Sequence, residues 1–174
     1  SKVLHCVGGK PMLAHALSAA RALMPDEIIV VTAPGGETVA IEAAPAKHAV
    51  QPLACGTGDA VQQGLTVSTQ HNSDVLVLYG DTPLVRPETL TSLRAALAHD
   101  RFAVAVLGFE PQDPGAYGRL VVGDEGLEAI VESADATEQQ RTIGLCNAGM
   151  MAIRGDVVRT LVSAITNNNP KGEY

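Results

Sequence analysis

The sequence predicts an α/β fold: a mostly parallel sheet flanked by helices, with an inserted β-hairpin. Three observations predict it. Short Val-, Ile- and Leu-rich runs alternate with helix-spaced segments as far as residue 108, the rhythm of repeated βα units. The apolar residues are mainly Ala, Val and Leu, with aromatics at 3% and no Trp, which suits buried parallel strands covered by helices. After residue 117 two apolar runs flank Gly123, Asp124, Glu125 and Gly126, and this reads as a hairpin rather than another βα unit.

The elements follow in order. Met12, Leu13, Leu17, Ala20 and Leu23 recur at helical spacing between Pro11, a first-turn residue, and Pro25, which ends the helix. Residues 27–32 form an apolar strand closed by Pro34, Gly35 and Gly36. A short helix at 37–44 stops at Pro45, and a weaker strand follows at 48–51. Gly56, Thr57, Gly58 and Asp59 lead into a helix whose Ala60, Val61, Leu65 and Val67 face inward. Residues 73–79 are the clearest strand, ending at Gly80, Asp81, Thr82 and Pro83. Arg86, Pro87 and Glu88 open a helix through Leu90, Leu93, Leu97 and Ala98, and 102–108 is another buried strand. The hairpin pairs 118–122 with 127–132; a strand at 145–153, a helix at 156–165 and a polar tail close the chain.

Composition narrows the function. A chain of 174 residues is expected to form one domain and to bury a core without disulfides. Twelve basic against nineteen acidic residues give a net charge of −7, the wrong sign for binding a nucleic-acid backbone. No apolar run approaches the roughly 18–20 residues of a membrane span. Cys6, Cys55 and Cys146 make no disulfide framework, so a cytoplasmic protein is expected. The histidines, His5, His15, His48, His71 and His99, show no zinc spacing. No GxSxG elbow or complete Walker loop occurs.

In open α/β sheets ligands bind beyond the carboxyl ends of the strands. That rule selects Gln51 with Gly56-Thr57-Gly58, Tyr79-Gly80-Asp81, Tyr117-Gly118-Arg119 with Glu132, and Asn147. Glycines at a helix start bring backbone N–H groups close to an anion, or simply make a capped turn. Asp81 after an apolar strand suits Mg2+ shared with phosphates, or a turn aspartate. Lys2 could neutralise phosphate or stay solvated, and Glu132 and Asn147 could hydrogen-bond sugar hydroxyls.

Taken together and in order, Lys2 to His5, Gly9 to Met12, Gln51 with Gly56-Thr57-Gly58, Tyr79-Gly80-Asp81, Tyr117-Gly118-Arg119, Ile130 to Glu132, Asn147 to Gly149, and Asn167 to Asn169 with Gly172 to Tyr174 form one pattern. It resembles the sugar-1-phosphate nucleotidyltransferases, in particular the uridyltransferase domain of bacterial bifunctional N-acetylglucosamine-1-phosphate uridyltransferase/glucosamine-1-phosphate acetyltransferases. The resemblance implies a Rossmann-like fold and synthesis of UDP-N-acetylglucosamine, a peptidoglycan precursor, from UTP and N-acetylglucosamine 1-phosphate with Mg2+. It implies that Lys2 touches phosphates, that Asp81 binds the metal, and that Gln51, Gly56 and Thr57 read uracil and ribose. Tyr79 and Gly80 would join the substrate site, and Gly118, Glu132 and Asn147 would hold the N-acetylglucosamine part.

Members of that family begin with an apolar strand and a Gly-rich loop of the form L-x-x-G-x-G-T-R-M, and Ser1 stands after it. Tyr174 stands before a later metal-binding Asn, and the acetyltransferase β-helix domain is absent from the sequence. The expectation is a truncated domain, weak or inactive alone, because loss of one charge-stabilising Arg costs roughly 10³–10⁵ in phosphoryl transfer. A sheet without its first strand has unpaired edges, so a homodimer through a β edge is expected. Two other functions are weighed: a non-catalytic sugar-nucleotide-binding or self-associating module, and a metal-dependent hydrolase built on Asp81.

Overall fold

Residues 1–98 and 102–167 are described by the computed structural model; His99 and residues 168–174 of the polar tail lie outside them. In chain order the strands are β1 (Cys6–Val7), β2 (Lys10–Pro11), β3 (Ile29–Thr32), β4 (Lys47–Val50), β5 (Val75–Val77), β6 (Val104–Phe109), β7 (Arg119–Gly123), β8 (Gly126–Val131) and β9 (Cys146–Ile153). The α-helices are α1 (Met12–Arg21), α2 (Glu37–Ala43), α3 (Thr57–Val67), α4 (Pro87–Ala95), α5 (Glu138–Arg141) and α6 (Val158–Ala164). They form two compact units, Ser1–Ala105 with Ala152–Tyr174, and Val106–Met151.

In the first unit, β3 and β4 pair in parallel, Ile29 with Lys47 through Thr32 with Val50. This is the βαβ unit expected from the sequence, with α2 as its crossover. Leu13 and Leu17 of α1 meet Val39 and Ala43 of α2 in a buried cluster, against which Ile28 and Val30 pack. The Arg21 guanidinium donates to the carbonyls of Ala43 and Ala44, each at 3.1 Å, so a cation closes the C-terminus of α2. Pro87 is the first residue of α4, where its missing N–H costs no helical bond.

β1, β2 and α5 are not among the expected elements, and two expected ones are altered. The strand at 73–79 contracts to Val75–Val77, and no residue of β3 or β5 is fully buried. On α3 only Gly64 is buried, while Val67 is exposed. The reason is the same in both cases: these elements border a cavity of about 1440 Å3, lined by Ala60, Val61 and Leu65 among others.

Glu27 ties this unit together. Its side chain is only 10% exposed and pairs with Lys47. It also accepts from the Ser68 hydroxyl at 2.7 Å and from the Thr69 N–H at 3.3 Å and hydroxyl at 3.0 Å. Burial pushes the carboxyl pKa up, but the bonds from Lys47, Ser68 and Thr69 outweigh it and hold the pKa at about 2 rather than 4.5. A lowered folded-state pKa stabilises the fold above the unfolded value, and that stability is lost as pH falls through the window from about 4.5 to about 2. Glu27→Gln should therefore cost on the order of 2 kcal/mol at pH 7, discounted for the partly solvated Lys47. In urea melts the gap between the two proteins should close towards pH 2–3.

The second unit is antiparallel where its registers are defined. β7 and β8 form the expected hairpin, Arg119 opposite Val131 and Gly123 opposite Gly126, with a register shift between Val121 and Val122. Gly126 takes a φ of 122°, which a side chain at the turn would oppose. β7 also pairs with β9, Arg119 opposite Cys146, and β6 pairs with β9. Thr137 and Gln140 form a reciprocal capping box on α5, a Thr-x-x-Gln signal that marks a helix start in sequence.

Candidate functional site

In the first unit the chain crosses from β5 to Asp81 in four residues. The Asp81 Oδ2 accepts from the Lys2 Nζ at 2.8 Å, and the side chains are 34% and 74% exposed. The two residues are 79 apart in sequence, so the fold itself brings them together. Gly80 sits under Val3 and Leu13: a Cβ there would lie 3.2 Å from a Leu13 methyl and 3.3 Å from a Val3 methyl. Its lack of a side chain lets the Lys2 turn approach the end of β5.

The second cluster lies where β4 leads into α3. Gln51 Nε2 donates to the Gly56 carbonyl at 2.9 Å and to Asp59 Oδ2 at 2.8 Å. The other oxygen of Asp59 accepts from Gln63 at 3.2 Å. Gly56 has φ 99° and ψ 179°, a conformation essentially restricted to glycine. It starts an eleven-residue helix, whose first N–H groups favour an anion. The Thr57 hydroxyl lies 3.1 Å from the Tyr79 hydroxyl. Gln51, Gly56, Thr57, Tyr79 and Gly80 all line the 1440 Å3 cavity.

The second unit gathers the other three residues. The Asn147 N–H donates to the Gly118 carbonyl at 2.8 Å. A Cβ on Gly118 would lie 3.5 Å from a Glu132 carboxylate oxygen and 3.8 Å from the Asn147 Cβ. The Asn147 Oδ1 accepts from the Gly149 N–H at 2.8 Å, which fixes the side-chain amide. Beside them Arg119 is 3% exposed. Its guanidinium donates to the carbonyls of Pro114, Tyr117 and Gly115, while its Nε has no partner. A buried cation thus staples the loop that presents Gly118.

The structure therefore gathers Lys2 with Asp81, Gln51 with Gly56, Thr57 with Tyr79, and Gly118 with Glu132 and Asn147. Sequence reasoning missed Asp59, which anchors Gln51, and the stapling action of Arg119. An acidic residue in the first turn of α3 was the available signal for the former. Among the described residues no three His, Cys, Asp or Glu gather into a metal-holding group. A single carboxylate at Asp81 nevertheless fits Mg2+, which takes one or two carboxylates and fills its octahedron with water and phosphate oxygens.

The chain matches the family model of the MobA-like NTP transferase domain over residues 1–144. It is 50% identical to the bifunctional protein GlmU of Rhodospirillum rubrum over 174 residues, covering 99% of this chain and 39% of the relative. The corresponding protein of Paramagnetospirillum magneticum is 49% identical over the same share. The chain thus spans about two fifths of the length of these curated relatives. Among solved structures it is similar to a UDP-glucose pyrophosphorylase complexed with UDP-glucose, at a TM-score of 0.72 and 14% identity over 98% of this chain and 74% of that one. A CMP:2-keto-3-deoxy-manno-octonic acid synthetase complexed with CTP gives 0.67 and 22%, over 98% and 73%. These likenesses show the fold: mixed α/β and Rossmann-like, as expected. With most of its length matched by the family model, the chain belongs to the MobA-like NTP transferase family.

Proposed function

We propose that the chain carries a site for making UDP-N-acetylglucosamine and pyrophosphate from UTP and N-acetylglucosamine 1-phosphate, and that these 174 residues alone turn over weakly or not at all. The observation that carries the reading is 50% identity across 99% of the chain to a bifunctional protein GlmU. The residue pattern given above supports the same substrates.

In this reaction a phosphate oxygen of the sugar phosphate attacks the α-phosphorus of UTP. The bond from that phosphorus to the bridging oxygen breaks, and pyrophosphate leaves. Little covalent work falls to the protein, whose part is alignment and charge neutralisation. Lys2 places an ammonium beside the phosphates. Asp81 would hold Mg2+, which supplies Lewis-acid stabilisation of phosphate charge when bound. The first turn of α3 offers backbone N–H groups to the nucleotide, while Gln51 and Thr57 offer hydrogen-bonding groups. Gly118, Glu132 and Asn147 hold the sugar, the glycine leaving room for it against the main chain.

Pyrophosphate release from UTP, N-acetylglucosamine 1-phosphate and Mg2+ tests the reading. The expected rate of these 174 residues assayed alone is at least roughly 10³-fold below that of a full-length relative. A rate equal to the relative's would refute the weak-turnover part. Gly118→Ala separates binding from folding. Its Cβ meets its neighbours at ordinary van der Waals distance, so the melting temperature should stay within a few degrees. Affinity for UDP-N-acetylglucosamine should fall at least ~10-fold, because the methyl occupies the sugar's place beside the backbone.

A further inference from the structure

Asp59 does not border the cavity of the first unit, yet it decides what one residue of the cavity wall can offer. Gln51 lines the 1440 Å3 cavity, whereas Asp59 and Gln63 do not. The Gln51 Nε2 donates to two oxygens, the Gly56 carbonyl at 2.9 Å and the Asp59 Oδ2 at 2.8 Å. A carbonyl and a carboxylate only accept, and a side-chain NH2 has two hydrogens to give. Both hydrogens are therefore used, and the Oε1 is left without a partner among the described residues. Turning the amide over would set Oε1 against both oxygens and lose two hydrogen bonds, one of them to a charged group. Asp59 is itself braced. It stands in the first turn of α3, where the helix N-terminus favours a negative charge. Its Oδ1 accepts from Gln63, one helical turn on, at 3.2 Å.

We infer that Asp59 is a positioning residue that sets base specificity through Gln51, an inference that rests on the nucleotide reading above. It holds the amide so that Gln51 meets a ligand only as a hydrogen-bond acceptor. The ligand that fits is a nucleobase with a ring N–H at that place, as uracil has at N3. Cytosine carries a lone pair at the same ring position, and two acceptors set face to face leave both unpaired. An unclamped glutamine amide discriminates poorly, since it donates or accepts by turning over. A site whose polar groups are fixed in advance rejects the mismatched ligand, because the mismatch leaves them without a hydrogen bond. The carboxylate of Asp59 supplies that fixing from outside the cavity.

The test titrates the 174-residue chain and its Asp59→Ala variant by calorimetry with UTP and with CTP, each in the presence of Mg2+. The parent chain should bind UTP at least ~10-fold more tightly than CTP, and Asp59→Ala should narrow that preference at least ~5-fold. Equal weakening of both nucleotides would leave Asp59 a merely structural role and overturn the inference, as would an unchanged preference or a parent that shows none. A second measurement needs no ligand. By nuclear magnetic resonance the Gln51 side-chain NH2 protons should exchange with water at least ~10-fold faster in Asp59→Ala than in the parent. Equal exchange would rule out the clamp. A parent chain that binds neither nucleotide would defeat the nucleotide reading itself, and the inference with it, whatever the exchange shows.

Discussion

Asp81→Asn should lower the affinity for Mn2+, used as a spectroscopic stand-in for Mg2+, by at least ~10-fold when UTP is present. Replacing even an outer partner of a metal ligand costs 10–100-fold, and Asp81 would be the protein's own carboxylate on the ion. Lys2 gives the experiment a second sign. Its ammonium lies 2.8 Å from Asp81 Oδ2 and competes with a cation for that oxygen. Lys2→Met should therefore raise Mn2+ affinity in the absence of nucleotide and weaken UTP binding. Neither change should unfold the protein, since an exposed ion pair contributes about 0–1 kcal/mol. Electron paramagnetic resonance counts free Mn2+ directly, and unaltered affinity in Asp81→Asn would remove Asp81 from the metal site.

Gly155→Ala should be the most destabilising single methyl in the first unit. A Cβ at Gly155 would lie 2.2 Å from the Asn72 carbonyl oxygen and 2.5 Å from the Ser73 carbonyl carbon. Both are main-chain atoms, so the turn after β9 must move. The move also strains the bond from the Gly155 N–H to Asp74 Oδ1 at 3.0 Å. Overpacking costs about 1–3 kcal/mol and a charged hydrogen bond about 1.5–3, so a loss of about 3 kcal/mol is expected. For a chain of this length that lowers the melting temperature by roughly 6–12 °C. Gly108→Ala is the control: its Cβ would meet the Leu120 and Leu145 side-chain ends at 2.9 Å, and those can rotate aside. A similar melting temperature for both variants would contradict this reading of the turn.

The βα rhythm was legible because local pattern decides it. The apolar run before Thr32, the stop at Pro45 and the Gly-rich start of α3 each carry their own signal. The hairpin was legible from Gly123 to Gly126 for the same reason. Burial was less so, because it depends on neighbours. Val75 to Val77 reads as a strand covered on both faces, yet its residues stay half-exposed beside the cavity. Candidate site residues stand out in the sequence as types at strand ends. Their partners do not, since the Lys2–Asp81 pair spans 79 residues and Asp59 looks like any acidic residue opening a helix. Arg119 shows the limit most clearly: nothing in its sequence surroundings says that its guanidinium is buried against three carbonyls.

The central claim is the proposed one, that the chain binds UDP-N-acetylglucosamine and that Gly118, Glu132 and Asn147 of the second unit hold its sugar part. Calorimetric titration of the folded 174-residue chain with UDP-N-acetylglucosamine tests it most directly. Saturable one-to-one binding, weakened at least ~10-fold by Gly118→Ala in a protein whose melting temperature stays within a few degrees, is the predicted result. A folded chain that takes up no heat from millimolar UDP-N-acetylglucosamine would contradict it.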